Sequence, residues 1–513
     1  MLLISRSIKN TFAPINRVPL DVLSLIPDYH EKDKELIKLT HICRSWREIF
    51  ISRASLWTFL ACKDFDKTTV YIQRSKKSPL EVHLDRWSPE ILPLVAPHIG
   101  RLKALTLSCF GRDVRRLVEH FSPAAPLLEK LAIHVRGARM SKSDSTYFWS
   151  TLLDGNPSSS RKLCLVGIHT DLPWKNMSNL ISFKLHWAGP EISTTQLLDF
   201  FEQAALLHGI ELSYSLPSSS DAPAERVVFL HHLRSLRICN EIAHSILLNH
   251  LRIPAGASVM LEFKPGAHDF PVPDYLPRSP DNLGNISHIT SINLSFYLGP
   301  SMQLHGPSGE LRMVGTTYFL APMLDSQTLR FLHKFPISST KSLAISRYTT
   351  SADSNTEESA AYQTLLTMND LRTLTLTNCI NLSFILALNP NHNPSNIVLC
   401  PKMEKLALYV QRRRDESFVN ELLEMAKARA SKGVMLSTIV MVCRRELISK
   451  EKVPDLRNYT AHLEYRLDRV KPRWNSIPSD EVDDDGSSDE VGDDSGSDEV
   501  DDDSDSDEAG YSD

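Results

Sequence analysis

Close pairs of cysteine are missing from this chain: its eight cysteines, Cys43, Cys62, Cys109, Cys164, Cys239, Cys379, Cys400 and Cys443, are scattered along 513 residues. That spacing suggests neither a disulfide framework nor a zinc site, so they are expected as reduced, mostly buried thiols. Long apolar runs are missing too. No stretch approaches the roughly 18 residues a membrane span needs, and the opening MLLISRSIKNTF is too short in apolar residues for a signal-peptide core. An intracellular chain, in cytoplasm or nucleus and without a membrane partner, is expected. Equally absent are the phosphate-cradling G-x-x-x-x-G-K-[ST], the dinucleotide G-x-G-x-x-G and the zinc-hydrolase H-E-x-x-H. The nearest approach to a nucleophile elbow is Gly306-Pro307-Ser308-Gly309-Glu310, where Glu310 holds the place of the second glycine. His231 and His232, adjacent on an expected strand, would point to opposite faces and could not chelate together. No catalytic residue, metal or cofactor is therefore expected, and the chain reads as no enzyme. Arg412-Arg413-Arg414 and Arg444-Arg445 come without the interleaved aromatics of RNA-binding motifs, so they read as solvated turns and nucleic acid is not an expected partner.

Basic residues are absent from one end altogether. Eighteen of the 62 acidic residues and none of the 57 basic ones lie from Asp480 onward, which leaves the rest of the chain about thirteen positive. In this tail Ser-Asp-Glu recurs at 479, 488, 497 and 506, and Ser487, Ser495 and Ser504 each have an acidic residue three positions on. With so little apolar surface and one sign of charge, residues 477–513 are expected to be a disordered acidic tail. It is suited to solvation, to phosphorylation by an acidophilic kinase, or to contact with a basic partner.

What is present begins near the start. Pro19 suits the first turn of a helix, and Val22, Leu23 and Ile26 recur on one face before Pro27 interrupts the pattern. Asp33 can cap a second helix carrying Leu36, Ile37, Leu39, Thr40 and Cys43, and Trp46, Ile49 and Phe50 continue the stripe into a third. Leu56 and Trp57 follow. Three helices in so few residues bury little surface alone, so a partner or the following domain is expected to share their apolar faces.

The ordered series Val18-Pro19, Asp21-Val22-Leu23, Ile26, Cys43-Arg44, Trp46-Arg47 and Leu56-Trp57 resembles the F-box, and LTHICRSWREIFISRASLW with DKTTVYIQRSKKSPLEVHL is similar to the large paralogous F-box families of fungi. Val18 and Pro27 stand where the general F-box has leucine and phenylalanine. The resemblance implies a substrate-recognition subunit of a Skp-cullin-F-box ubiquitin ligase. Val18, Pro19, Asp21, Val22, Leu25 and Ile26 would bind the Skp-type adaptor, and the cullin through it. Leu23, Leu39, Cys43, Trp46, Leu56 and Trp57 would pack the F-box internally. The substrate would be a protein, its identity unspecified. The alternative is a non-ligase interaction scaffold whose acidic tail engages a basic protein such as a histone.

Beyond residue 60 the pattern L-x-x-L-x-L recurs at Leu102-Leu105-Leu107, Leu128-Leu131-Ile133, Leu180-Phe183-Leu185, Leu233-Leu236-Ile238, Ile289-Ile292-Leu294, Leu371-Leu374-Leu376 and Met403-Leu406-Leu408. Weaker matches stand at Leu163-Leu165 and Ile210-Leu212. A unit of roughly 20 to 32 residues follows, around the leucine-rich-repeat range, with Cys379 where a buried Asn or Cys bonds the turning backbone. Ser88-Pro89-Glu90 opens a helix ending near Gly100. Asp415 caps another that carries Phe418, Leu422, Met425 and Arg429 and stops at Gly433. Strands are expected at Leu436–Val442 and Ala461–Arg466, and an inserted β-ribbon, protruding as a hairpin, around Gly306–Gly309. The expected α/β architecture is thus residues 1–14 flexible, a three-helix F-box at 15–60, a degenerate leucine-rich-repeat-like β-α solenoid at 61–476, and the tail.

Overall fold

The computed structural model describes Val22 and residues 34–467 other than 86–89, 138–141, 156–159, 169–176, 188–191, 217–218, 241–243, 264–275, 296–300, 316–328, 330–331, 334, 347–353, 379–381, 394–396, 411–415 and 444–451. The chain divides into Met1–Leu467 and Asp468–Asp513. The acidic tail therefore lies outside the described residues, as do Cys379, Asp415, Arg412 to Arg414 and both residues of Arg444-Arg445.

The fold is mixed α/β, with twelve α-helices and nineteen strands among the described residues. Seventeen strands form one mostly parallel sheet. Its first part comprises β1 (Phe59–Leu60), β2 (Leu80–Leu84), β3 (Leu102–Phe110), β4 (Lys130–Arg136), β5 (Lys162–Val166), β6 (Ser182–His186) and β7 (Gly209–Ser213). β8 (Val228–Phe229) and β10 (Leu251–Arg252) pair only with each other, while β9 (Ser235–Asn240) and β11 (Ser258–Phe263) extend the large sheet. Then come β12 (Ser291–Ser295), β13 (Ser301–His305), β14 (Glu310–Gly315), β15 (Ser342–Ser346), β16 (Thr373–Thr377), β17 (Lys405–Val410), β18 (Leu436–Cys443) and β19 (Thr460–Leu467).

Strands pair in chain order, in parallel, from β1 through β7, β9 and β11. The order then reverses locally: β11 pairs with β14, β14 with β13 and β13 with β12, the last two antiparallel, and β12 passes the sheet on to β15. From β15 to β19 the parallel order resumes. The inserted ribbon is thus real but does not protrude, because its outer strands are sheet members on both sides. Gly306 and Gly309 show why glycine is needed at its turn. A Cβ on Gly309 would lie 2.4 Å from the Ala255 carbonyl oxygen, and one on Gly306 2.6 Å from that of Asn285. Ser308, between them, donates its hydroxyl to Ala255 O at 3.3 Å.

Alternation with period two explains the core. Two apolar ladders cross the sheet in register. One runs from Val82 through Leu105, Leu131, Leu163, Phe183 and Ile210 to Leu374, Leu406 and Ile439; the other runs from Leu84 through Leu107, Ile133 and Leu165 to Leu408 and Met441. All of these are buried. Every L-x-x-L-x-L segment found in the sequence is one of these strands. The helix at Glu416–Ser431 also forms, with Phe418, Leu422, Met425 and Arg429 buried and Gly433 at φ +78° ending it. Helix Leu92–Val95 continues as a 3-10 turn to Arg101. His231 and His232 differ from expectation: they sit in an exposed turn after β8, where His231 stacks on Phe229.

Candidate interaction surface

The N-terminal helices are built against the start of the sheet. Helix Lys34–Thr40 buries Leu36 and Thr40, with Leu39 partly buried. Helix Arg44–Ser52 places Trp46 and Phe50 one turn apart, edge to face at 5.5 Å. Arg47 Nε donates to Thr40 O at 2.9 Å across the join, and Cys43, at the N-cap, is partly buried with no side-chain capping bond. The 3-10 turn Ala54–Trp57 leaves Leu56 partly buried and Trp57 fully so. Trp57 is the hinge of this packing. Its Nε1 donates to Phe50 O at 2.8 Å, its ring meets Tyr71 edge to face at 4.9 Å, and Arg74 lies over it at 4.3 Å. Tyr71 and Arg74 come from helix Phe65–Ser75, capped by Asp64, which accepts from Lys67 N. These helices share one core with β1 and β2, which accommodates the apolar faces that three short helices cannot bury alone.

Of the residues expected to bind an adaptor, Val22 is described: it is helical and 47% exposed. Val18, Pro19, Asp21, Leu25 and Ile26 lie outside the described residues, as do Leu23 and Pro27.

A second surface was not legible in the sequence, because only the register brings its residues together. On the solvent face of β6, β7, β9 and β11, Lys184 Nζ meets Glu211 Oε2 at 2.8 Å, Arg237 Nη1 lies 3.8 Å from Glu211 Oε1, and Arg237 Nη2 meets Glu262 Oε1 at 2.9 Å. Burial opposes ionisation of Glu211, yet Lys184, His186 and Arg237 hold its carboxyl below the ordinary range. Burial pushes His186 the other way, below its ordinary value, despite Glu211 beside it. At neutral pH the 3.7 Å approach of His186 Nε2 to Glu211 is therefore a contact of a neutral ring with a carboxylate, not an ion pair.

Several strand ends of the sheet, two of them on the strands that carry this network, share a backbone signature. The residue after β5, β6, β7 and β16 has positive φ: Gly167 (+72°), Trp187 (+53°), Tyr214 (+52°) and Asn378 (+53°). Each donates its N–H to a carbonyl near the end of the adjacent strand of the sheet, to His186, Ser213, Cys239 and Tyr409 in turn, at 2.7 to 2.9 Å. Glycine and asparagine tolerate this conformation; a bulky aromatic residue held there is an outlier that points to a use for the ring. Trp187 is 54% exposed, and its ring lies 6.3 Å from that of Tyr214, tilted by 42°. The exposed rings of Phe110, Tyr147 and Phe229 each have an arginine of the same chain above them at 5.5 to 5.7 Å. Trp187 has none among the described residues.

Among the described residues no cluster of three or more His, Cys, Asp or Glu could hold a metal, and no helix is long and apolar enough to cross a membrane. Compared with known proteins, the chain matches no family model and no curated protein.

Proposed function

We propose that this chain is the substrate-recognition subunit of a Skp-cullin-F-box type ubiquitin ligase, with a degenerate leucine-rich-repeat-like solenoid as its body. The observation that carries this reading is the division of apolar surface in the N-terminal helices. Trp46, Phe50 and Trp57 are buried in the core shared with the sheet, while Val22, in the segment resembling the adaptor-binding part of an F-box, is exposed. Mostly in-order, mostly parallel pairing of strands, with two unbroken apolar ladders, supports the solenoid reading. On the substrate side, the Trp187–Tyr214 ledge with the Lys184, Glu211, Arg237 and Glu262 network below it supplies what a protein-binding surface uses: a rigid exposed aromatic anchor beside polar groups already held in place.

The test is capture of a Skp-type adaptor by the full chain. Wild type is expected to retain the adaptor at micromolar concentration, and Val22→Asp, which sets a charge into an apolar contact, is expected to release it. A wild-type chain that captures no adaptor overturns the ligase reading and leaves the interaction scaffold with an acidic tail. Capture that survives Val22→Asp would keep the function and move the contact away from that residue.

A further inference from the structure

On its solvent face the sheet matches its own charges over one run of strands and leaves them unmatched over the next. From β6 to β11 cation and carboxylate alternate: Lys184 meets Glu211, Glu211 stands between Lys184 and Arg237, and Arg237 meets Glu262. On β5, β4 and β3 the carboxylates stop, for none of these three strands holds an aspartate or glutamate. Lys130 on β4 is in register with Lys162 on β5. Two lysine stems therefore leave neighbouring strands about 4.8 Å apart, and both residues are exposed. The register flanks the pair with Ala104 on one side and Ser182 on the other, side chains too short to cover either stem. Glu129, next to Lys130 in sequence, lies 3.9 Å from Lys103, and neither lysine of the pair has an ion-pair partner among the described residues. Like charges facing each other across neighbouring strands are unfavourable, so this half of the face is left with a repulsion that incoming carboxylates relieve.

We propose that the Lys130–Lys162 pair docks an acidic peptide segment of a protein partner, a role that rests on the assignment of the sheet's solvent face to a protein partner under the proposed function and not on the adaptor contact at Val22. The segment's aspartate or glutamate side chains supply the carboxylates that β3 to β5 omit. Lys184, one strand over from Lys162, shows the match in place, holding Glu211 at 2.8 Å. In an extended peptide alternate side chains stand about 6.8 Å apart on one face. Acidic residues at i and i+2 thus reach both ammonium groups through the flexible lysine stems. Outside its acidic end the chain is about thirteen positive, which steers an anionic segment toward it, and the unmatched pair gives that segment a defined place to settle.

The experiment is fluorescence anisotropy of the full chain with a short fluorescein-labelled peptide that carries glutamate at alternate positions between serines, at about 50 mM salt. Wild type is expected to bind, and to bind more weakly as salt rises. Lys130→Gln with Lys162→Gln is expected to weaken binding about fivefold, and Lys130→Glu with Lys162→Glu at least tenfold, since reversal adds repulsion to the loss. Lys405→Glu with Lys432→Glu makes the same change in net charge at exposed positions elsewhere and is expected to stay within about twofold of wild type. Circular dichroism of each variant checks that the fold is intact. A wild-type chain that does not bind the peptide, or a Lys130 and Lys162 reversal that binds it like wild type, would overturn the inference. So would equal losses in both reversal variants, which would assign the binding to bulk charge. A single-stranded RNA probe that binds wild type more tightly than the peptide and is lost in the Lys130 and Lys162 reversal would give the pair to nucleic acid instead. Adaptor capture by the same variants is expected to match wild type, so a chain that binds the peptide without the adaptor, or the adaptor without the peptide, tells the failure of one reading from the failure of the other.

Discussion

Arg429 is a fully buried guanidinium with no carboxylate partner among the described residues, and replacing it tests what holds it there. It projects from helix Glu416–Ser431 and donates from Nη1 to Leu399 O at 2.8 Å and from Nη2 to Cys400 O at 3.0 Å, while Nε has no partner. Burial lowers its pKa from the ordinary arginine value. The carbonyls belong to the turn leading into β17, where Cys400 is itself held at φ +46°. A hydrogen bond from a charged group contributes about 1.5 to 3 kcal/mol, so the fork is worth roughly 3 to 6 kcal/mol before offsets. Two offsets reduce it: Cys400 O keeps the Met403 N–H at 3.0 Å, and removing the guanidinium relieves a buried charge whose third donor is unmet. Arg429→Met, which keeps the stem volume, is therefore expected to destabilise the chain by about 2 to 4 kcal/mol. Arg429→Lys retains the charge but loses the planar fork, and is expected to cost at least as much. Urea unfolding followed by circular dichroism, compared at equal m-values, measures both. A lysine variant within about 0.5 kcal/mol of wild type would show that charge suffices, and a stabilised methionine variant would show that desolvation outweighs the fork; either result refutes the reasoning.

Three further outcomes follow from the same physics. Trp57→Phe leaves Phe50 O without its indole donor and removes the larger ring under Arg74, so thermal melts should show a loss of about 1 to 3 kcal/mol, with Trp57→Ala costing about 3 to 5. Gly433→Ala meets nothing within 4 Å and should cost only the left-handed backbone penalty of about 1 to 2 kcal/mol; Gly167→Ala, whose Cβ would sit 2.4 Å from Val135 O, should cost clearly more. Equal denaturation midpoints would count against that distinction. Glu211 has a folded-state pKa below its ordinary 4.5, so its stabilisation is in place above that value and is lost as pH falls through the lower one. Glu211→Gln should therefore flatten the fall of the melting temperature as the pH drops below about 4.5, and parallel wild-type and variant curves would contradict the assignment.

The sequence was most readable where local chemistry and tertiary role coincide. Strands whose apolar pair is preceded three residues earlier by another apolar residue, such as Leu102 before Leu105 or Leu371 before Leu374, announce themselves. β2, β11 and β15 carry the same inward pair in register, but the leading position holds Pro79, Gly256 and Thr340. Thr340 is nonetheless buried, its hydroxyl directed at Ile289 O at 3.5 Å, so a polar residue fills an apolar slot and removes the signal. The ribbon's turn was legible from its two glycines; its place inside the sheet was not, because that depends on β14 meeting β11, and no local pattern encodes a partner 52 residues away. The same holds for the Trp187–Tyr214 ledge. Each ring is unremarkable in sequence, and only the left-handed strand ends and the β6–β7 register make them neighbours.

The reversal at β12, β13 and β14 also has a consequence for how the chain folds. Nearly every other pairing joins strands that follow one another directly, so ordering can spread outward from any short nucleus at modest loop-closure cost. At the reversal two closures are long and interlocked: β11 must find β14 across the intervening pair, and β12 must find β15 past β14. The hairpin of β13 and β14 can form early from its own turn, but it becomes a joint only when both flanks are in place. The sheet is thus continuous in space yet kinetically in two blocks, β1 to β11 and β15 to β19. Refolding should show the blocks gaining protection from hydrogen exchange separately, with the ribbon the last to close.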